Sequence, residues 1–246
     1  MLEVFRSGRS RSADGFFAYT SDIKTYLESR GVESEKIFVL NNTIDILKQR
    51  SFYEKLYPDR EILKDKMGLH GKKVLLFVGR FTKNKRIDFL LKAFNHLITT
   101  GSDYHLIMIG SGGEEYKHNA PPNITFYDAI TDVNKLAPLY VVSDVFTFPG
   151  DVGLGPLQAL CYDLPVITLD SPTHMPEIIY LNKDNAVILP FASAPEDYAR
   201  AIQKLFSNPD ELRTFKLNIW TSIQHLTIEQ MAKNFIAGVN TIFNLS

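Results

Sequence analysis

The chain has 246 residues, 45% hydrophobic and 22% charged, with 27 basic against 28 acidic residues and a net charge of −1. These values describe a soluble globular protein of one or two domains, long enough to bury a sizeable core, and they exclude the whole-chain basic field that nucleic acid selects. The single cysteine, Cys161, excludes an internal disulfide and a cysteine-cluster zinc site and fits a reducing compartment.

In chain order, "MLEVFRSGRSRSADGFF" carries basic residues without an apolar run behind them, so it does not read as a secretion signal. No segment reaches the roughly 20 apolar residues of a membrane helix. A cytoplasmic protein is expected. Arg6, Arg9 and Arg11 read as a solvated helix end, with contact at an anionic membrane face as the minor alternative. Residues 1–45 supply one short strand, one helix and a second strand, "KIFVLNN" (36–42). That is too little to enclose a core, and it reads as the tail of a domain whose beginning is absent. Residues 46–69, "ILKQRSFYEKLYPDREILKDKMGL", read as a helical linker, polar on most faces.

From residue 70 the pattern alternates. "KKVLLFVGR" (72–80) is a near-continuous apolar run, as in a strand covered on both faces. "RIDFLLKAFNHLITT" (86–100) follows at helical spacing, with Ile87, Leu90, Leu91, Phe94 and Leu97 on one side. "YHLIMIGSGG" (104–113) is a second buried strand ending in a glycine turn, and "ITFYDAI" (124–130) is a short third. "TDVNKLAPLYVVS" (131–143) is a helix opened by a Thr or Asp cap. "DVFTFPG" (144–150), "GPLQALCYD" (155–163) and "LPVITLD" (164–170) give strand, helix, strand. The remainder reads as helical, including "EIIYL" and three long helices at 194–208, 209–223 and 227–244. Such alternation with short connections predicts an α/β fold, a doubly wound parallel sheet over about residues 70–225.

Two constellations carry chemistry. In "VGRFTKNKRID", Arg80 follows a buried strand and Lys85 opens a helix five residues later. Strand ends beside helix starts are where doubly wound sheets bind ligands. A guanidinium fork and an ammonium point charge suit phosphate oxygens, and could stabilise a diphosphate as it gains charge on leaving. The competing reading is a polar loop with solvated charges. In "PGDVGLGPLQAL", Gly153 and Gly155 allow close backbone approach, Leu154 lies between them, and the helix start favours an anion. Pro156 suits the first helical turn, and Gln158 is placed to bond a ribose hydroxyl. The competing reading is a turn that needs glycine for geometry alone. "GSGG" (110–113) lacks the Gly-Lys-Ser/Thr ending of a phosphate loop and reads as a backing turn. Asp151 is the candidate catalytic carboxylate; a solvated turn aspartate is its plainer reading. His174, in "DSPTHMPEII", reads as a surface-loop histidine, and Glu177 serves the following helix start. No histidines pair at metal-ligand spacing, and no Ser-His-Asp or Cys-His set can be assembled.

Taken together, these segments resemble the C-terminal, donor-binding part of a retaining glycosyltransferase with two Rossmann domains, the GT-B architecture, of the bacterial surface-polysaccharide type (family 4-like, group 1). "ADGFFAYTSDIKTYLESRGVESEKIFVLNNTID" is similar to the end of the acceptor-side domain, "LLFVGRFTKNKRIDFLLKAF" to the opening of the donor domain, and "NITFYDAITDVNKLAPLYVVSDVFTFPGDVGLGPLQALCYDLPVITLDSPTHMPEII" to its donor-binding half. The resemblance divides the chain into 1–45, a remnant of the acceptor-side Rossmann domain; 46–69, a linker; 70–225, the nucleotide-sugar-binding domain; and 226–246, a helix crossing back to the first domain. It implies a nucleoside diphosphate sugar as donor, held by Arg80, Lys85, Gly153, Leu154, Gly155 and Gln158. It also implies a sugar or lipid-linked sugar acceptor, and no metal or other cofactor.

Two departures stand out. Where such enzymes carry a glutamate for the donor sugar and another for the ribose, this chain has Gly150 and Gln158. Most of an acceptor domain is missing, so the chain by itself is expected to bind a donor without transferring its sugar. The alternative is a non-catalytic nucleotide-sugar-binding or partner subunit. A sugar-nucleotide epimerase would need carboxylates and histidines around the donor that the sequence does not supply.

Overall fold

The computed structural model describes residues 13–101, 103–117 and 121–244. Arg6, Arg9, Arg11 and His118 lie outside the described residues. The chain forms two compact units, one of residues 46–224 and one that combines residues 1–45 with 225–246.

In the smaller unit, β1 (Phe16–Ala18) and β2 (Ile37–Val39) pair in parallel, joined by α1 (Ser21–Ser29). Ala18, Leu27 and Ile37 are its buried core, with Phe16, Ile23, Tyr26 and Val32 packed around them. The chain's last helix (Ile228–Phe243) belongs to the same unit. It packs closely on the strands at Gly238, where a Cβ would stand 2.6 Å from the Phe17 ring and 2.8 Å from Phe38. Thr43 Oγ1 donates to the Leu226 carbonyl at 2.6 Å, and Asn234 donates to the Leu40 carbonyl at 3.2 Å.

The larger unit begins with α2 (Ile46–Leu56) and α3 (Arg60–Lys66). There follow β3 (Lys73–Val78), α4 (Ile87–Thr100), β4 (Tyr104–Ile109), the short α5 (Glu114–Lys117), β5 (Ile124–Tyr127) and α6 (Val133–Val142). The second half is β6 (Val145–Phe148), α7 (Gly155–Leu160), β7 (Val166–Asp170), β8 (Ala186–Pro190), α8 (Pro195–Ser207) and α9 (Pro209–Ile223). The six strands form one parallel sheet in the order β5-β4-β3-β6-β7-β8. This is the doubly wound α/β sheet expected. Strand order reverses between β3 and β6, so the connections leaving those two strands part and open a crevice at their carboxyl ends.

Residue type explains the elements. Val74, Leu75, Leu76 and Phe77 in β3 are wholly buried, because helices cover both faces. Along α4 the buried positions are Ile87, Leu90, Ala93, Phe94 and Leu97; Leu91 sits at the edge of that face, half-buried. Asp132 caps α6, accepting from the Asn134 N–H.

Three local expectations change. The segment 182–190 was expected within a helical remainder, but it contributes the edge strand β8, in which buried and exposed positions alternate too briefly to mark a strand. "EIIYL" is only a 3₁₀ turn, Pro176–Tyr180. Residues 46–69, read as a linker, form two helices within the larger unit, where they bury Ile46, Tyr53 and Lys64. Their anchors are charged. Asp144 accepts from Arg60 Nη2 at 2.5 Å, from Lys64 Nζ at 3.3 Å and from the Val74 N–H at 2.9 Å. Arg50 pairs with Asp163 at 2.8 Å and lies over the rings of Tyr53 and Trp220. Among the described residues, no helix is long and apolar enough to cross a membrane.

Candidate functional site

The crevice at the β3/β6 reversal is built by two loops, and glycines let them touch. A Cβ on Gly110 would lie 1.9 Å from the Gly79 carbonyl oxygen, so the ends of β3 and β4 meet backbone to backbone. The Phe81 N–H then donates to the Ser111 carbonyl at 2.9 Å. The "GSGG" turn, with Gly112 and Gly113 at φ +84° and +74°, therefore backs the 79–86 loop. Arg86 ends the loop at a left-handed φ of 55°, its guanidinium held between the rings of Phe89 (4.4 Å) and Phe191 (4.7 Å).

The second loop, 149–155, lies directly on the first. At Gly150 an added Cβ would stand 2.3 Å from the Asn84 carbonyl oxygen and 2.4 Å from Lys85 Cα. The Asp151 N–H donates to that same carbonyl at 2.9 Å. The fold itself thus requires glycine at 150, the position where the family resemblance implies a glutamate. Gly153 and Gly155 differ. Their nearest would-be contacts are Met175 and the Val78 carbonyl, both at 3.8 Å, and neither backbone has a positive φ. Nothing within the protein demands glycine at these two positions. The Val78 contact also sets the start of α7 beside the end of β3, two residues before Arg80.

The structure brings Lys85 and Asp151 together. Lys85 is half-buried above the Phe148 ring (5.1 Å), and its ammonium donates to the Asp151 main-chain carbonyl. Burial lowers its pKa; the Asp151 carboxylate opposes that shift, and the nearby Arg80 charge adds to it. Arg80 is exposed. Leu154 is the half-buried residue before the first turn of α7. That helix has only six residues, so its terminal dipole is short.

Asp151 is tied into the protein. Ser171 Oγ and Thr173 Oγ1 both donate to Oδ1 at 2.7 Å, and Asn84 Nδ2 reaches Oδ2 at 3.4 Å. Burial works against ionisation, yet these donors, with His174 nearby, outweigh it and hold the carboxyl below its usual range. His174, read as a surface-loop residue, is instead a half-buried clasp. The Val152 N–H donates to its Nδ1 at 3.0 Å, and its Nε2 lies 3.0 Å from the Ser171 N–H and 2.7 Å from the Leu169 carbonyl oxygen. Asn84, Ser171 and Thr173 were missed by the sequence reading. The available signal was a hydroxyl-rich run directly after a strand, next to the crevice.

A stability expectation follows for Asp151. Asparagine there keeps an oxygen acceptor for both hydroxyls, so Asp151→Asn should cost about 0.5–1.5 kcal/mol in denaturant titrations at neutral pH. The folded state lowers the carboxyl's pKa. Its stabilising contribution is therefore full above the unfolded value, about 3.9, and is lost as pH falls through the lowered folded value. The parent should lose its advantage over Asp151→Asn only in that acid window. A constant difference down to the acid limit would refute the carboxylate's role.

Gln158, at the end of the first turn of α7, is half-buried, and its side-chain N–H donates to Gln49 Oε1 at 3.4 Å. Among the described residues no group of three or more His, Cys, Asp or Glu side chains is arranged to hold a metal.

Comparison with known proteins bears on this arrangement. Residues 72–208 match the family described as "Glycosyl transferases group 1". Spore coat protein SA of Bacillus subtilis (strain 168) is 32% identical over 168 residues, 62% of this chain and 44% of that protein. Among solved structures, HepE of Anabaena, in complex with UDP and glucose, has a TM-score of 0.69 at 14% identity, covering 93% of this chain and 63% of its own. WaaG, a glycosyltransferase involved in lipopolysaccharide biosynthesis, has a TM-score of 0.71 at 19% identity, covering 90% and 61%. At these identities the two structures speak to the fold, which is that of GT-B glycosyltransferases. The chain spans about half the length of the curated relatives it matches.

Proposed function

The chain belongs to the group 1 glycosyltransferases, and from that premise we propose that residues 46–224 bind a nucleoside diphosphate sugar and present it for transfer to an acceptor. The observation that carries this reading is the joint placement, at the β3/β6 crevice, of a half-buried ammonium, an exposed guanidinium and two glycines that the fold does not require. Cations and open backbone together suit a diphosphate that must lie close to the main chain. The UDP and glucose in the Anabaena structure support a nucleotide-sugar ligand for this fold.

In this reading Lys85 and Arg80 neutralise the diphosphate, and their charges do most as negative charge builds on the leaving group. No metal is needed for that step. The backbone around Gly153, Leu154 and Gly155 lies against the phosphates and sugar, and Gln158 bonds the ribose. Asp151 is a positioning residue: its carboxylate joins the 171–174 segment to the 84–85 segment, and its carbonyl aims Lys85. Transfer with retention, a sugar or lipid-linked sugar acceptor, contact with a membrane face and a role in surface-polysaccharide assembly extend the proposal on the strength of the family and of relatives such as WaaG.

A second reading, a nucleotide-sugar-binding partner subunit without transferase activity, has one observation in its favour. The fold excludes a side chain at 150, where the family resemblance implies a carboxylate for the donor sugar.

The test is titration calorimetry of the whole chain with UDP, GDP, ADP and their sugars. Saturable binding of at least one is expected; binding of none would sink the reading. Gly155→Val should fold normally yet weaken that binding more than Asp151→Asn does, because a β-branched side chain fills the space the ligand would use. Assays with sugar acceptors should give no multiple-turnover transfer, since two substrates must be held together for reaction and the smaller unit's described core is only one strand pair and two helices.

A further inference from the structure

Gln158 stands where the family resemblance implies a glutamate, and an amide in that place raises a chemical problem. A carboxylate offers an acceptor from either oxygen, whereas an amide offers an acceptor on one side and a donor on the other. A ribose hydroxyl that donates to Gln158 meets an acceptor only if the amide is turned the right way.

A chain of three side chains turns it. The Tyr162 hydroxyl donates to Gln49 Oε1 at 2.8 Å, and Gln158 Nε2 donates to that same oxygen at 3.4 Å. Tyr162 is 2% exposed, and burial raises the pKa of its phenol, so the proton stays on oxygen. Gln49 Oε1 is its only recorded acceptor among the described residues. Flipping Gln49 would present an N–H₂ to that hydroxyl and leave a buried donor unsatisfied, a costly state. With Gln49 fixed as an acceptor, Gln158 must direct its N–H₂ toward it. Its own Oε1 then points away from Gln49.

We propose that Gln49, oriented by Tyr162, is a positioning residue that locks the Gln158 amide with its carbonyl oxygen toward the nucleotide, restoring by geometry the acceptor that a glutamate supplies by charge. The proposal rests on the donor-binding reading above. It also gives α2 a functional duty: the helix bears Gln49 in its first turn and Tyr53, whose ring meets that of Tyr162 edge-on at 6.3 Å.

The experiment uses the whole chain and whichever of UDP, GDP and ADP binds most tightly, beside the 2′,3′-dideoxy form of the same nucleotide. Gln49→Leu and Tyr162→Phe should each weaken binding of the ribonucleotide about 3- to 10-fold, the worth of one neutral hydrogen bond. Neither should change binding of the dideoxy form. In a Gln158→Glu background, where the acceptor no longer depends on orientation, Gln49→Leu should have no effect. Equal losses for both nucleotides, or an undiminished loss in the Gln158→Glu background, would overturn the proposal and leave Gln49 a packing residue, with the donor-binding reading intact. Failure of the parent chain to bind any of the three nucleotides would overturn both.

Discussion

Gly150→Glu, which installs the residue that the family resemblance implies, should destabilise the larger unit by roughly 3 kcal/mol or more, the upper range for overpacking. For a unit of this size that is a fall in its thermal midpoint of about 6–12 °C. The clash is with backbone, not with a side-chain tip that can swing away: Cβ would lie 2.3–2.5 Å from Asn84 O, Lys85 Cα and Lys85 C. Relief requires the 84–85 segment to move off the 149–155 loop. That breaks the hydrogen bond from the Asp151 N–H to Asn84 O and displaces Lys85. Gly150→Glu is therefore expected to lose nucleotide binding as well as stability, although it looks like a repair. Gly150→Ala should show most of the stability loss, because the first carbon already collides. Gly155→Ala is the control: its Cβ meets only the Val78 carbonyl, at 3.8 Å, and stability should stay within about 0.5 kcal/mol of the parent. Thermal and denaturant unfolding of the three variants check this, and a Gly150→Glu chain as stable as its parent would refute the packing argument.

Lys85→Ala should weaken binding of the preferred nucleoside diphosphate about 10- to 150-fold, the range for a hydrogen bond to a charged group. Arg80 and Lys85 carry equal weight as letters in one loop, but their surroundings differ. Lys85 is half-buried on the Phe148 ring and aimed by the Asp151 carbonyl, so its charge is weakly screened. Arg80 is exposed, and Arg80→Ala should cost no more than about 1 kcal/mol. The sign of a pH effect follows. Burial lowers the Lys85 pKa, so the free protein releases this proton earlier than an ordinary lysine does. A bound diphosphate favours the charged ammonium. Affinity should hold at neutral pH and fall as pH rises through the lowered Lys85 value, whereas Lys85→Ala should bind weakly without that alkaline decline. Calorimetry across the alkaline range distinguishes these outcomes; a parent chain with no such decline would show that Lys85 does not meet the ligand.

Much of this protein is decided by local sequence. The buried runs "KVLLFV" and "YHLIMI" could only be strands covered on both sides, and the apolar face of 87–100 could only be a helix packed against them, so the doubly wound sheet was legible. Chain order alone also set the 80–85 and 149–158 segments each directly after a strand of the parallel sheet, and therefore at one end of it. Tertiary structure decided the rest, for a common reason: the deciding contacts join residues far apart in sequence and are polar or backbone in character, which periodicity does not register. Residues 46–69 looked like a linker because Arg50, Arg60 and Lys64 anchor them by charge, to Asp163 and Asp144, in place of an apolar stripe. His174 looked like a surface residue until its ring was found bridging Val152 and Leu169. Gly150, Gly153 and Gly155 are equivalent letters in one turn. Only the passage of the 84–85 backbone beneath the first, and open space beside the other two, separates the glycine that holds the fold together from those left free to meet a ligand.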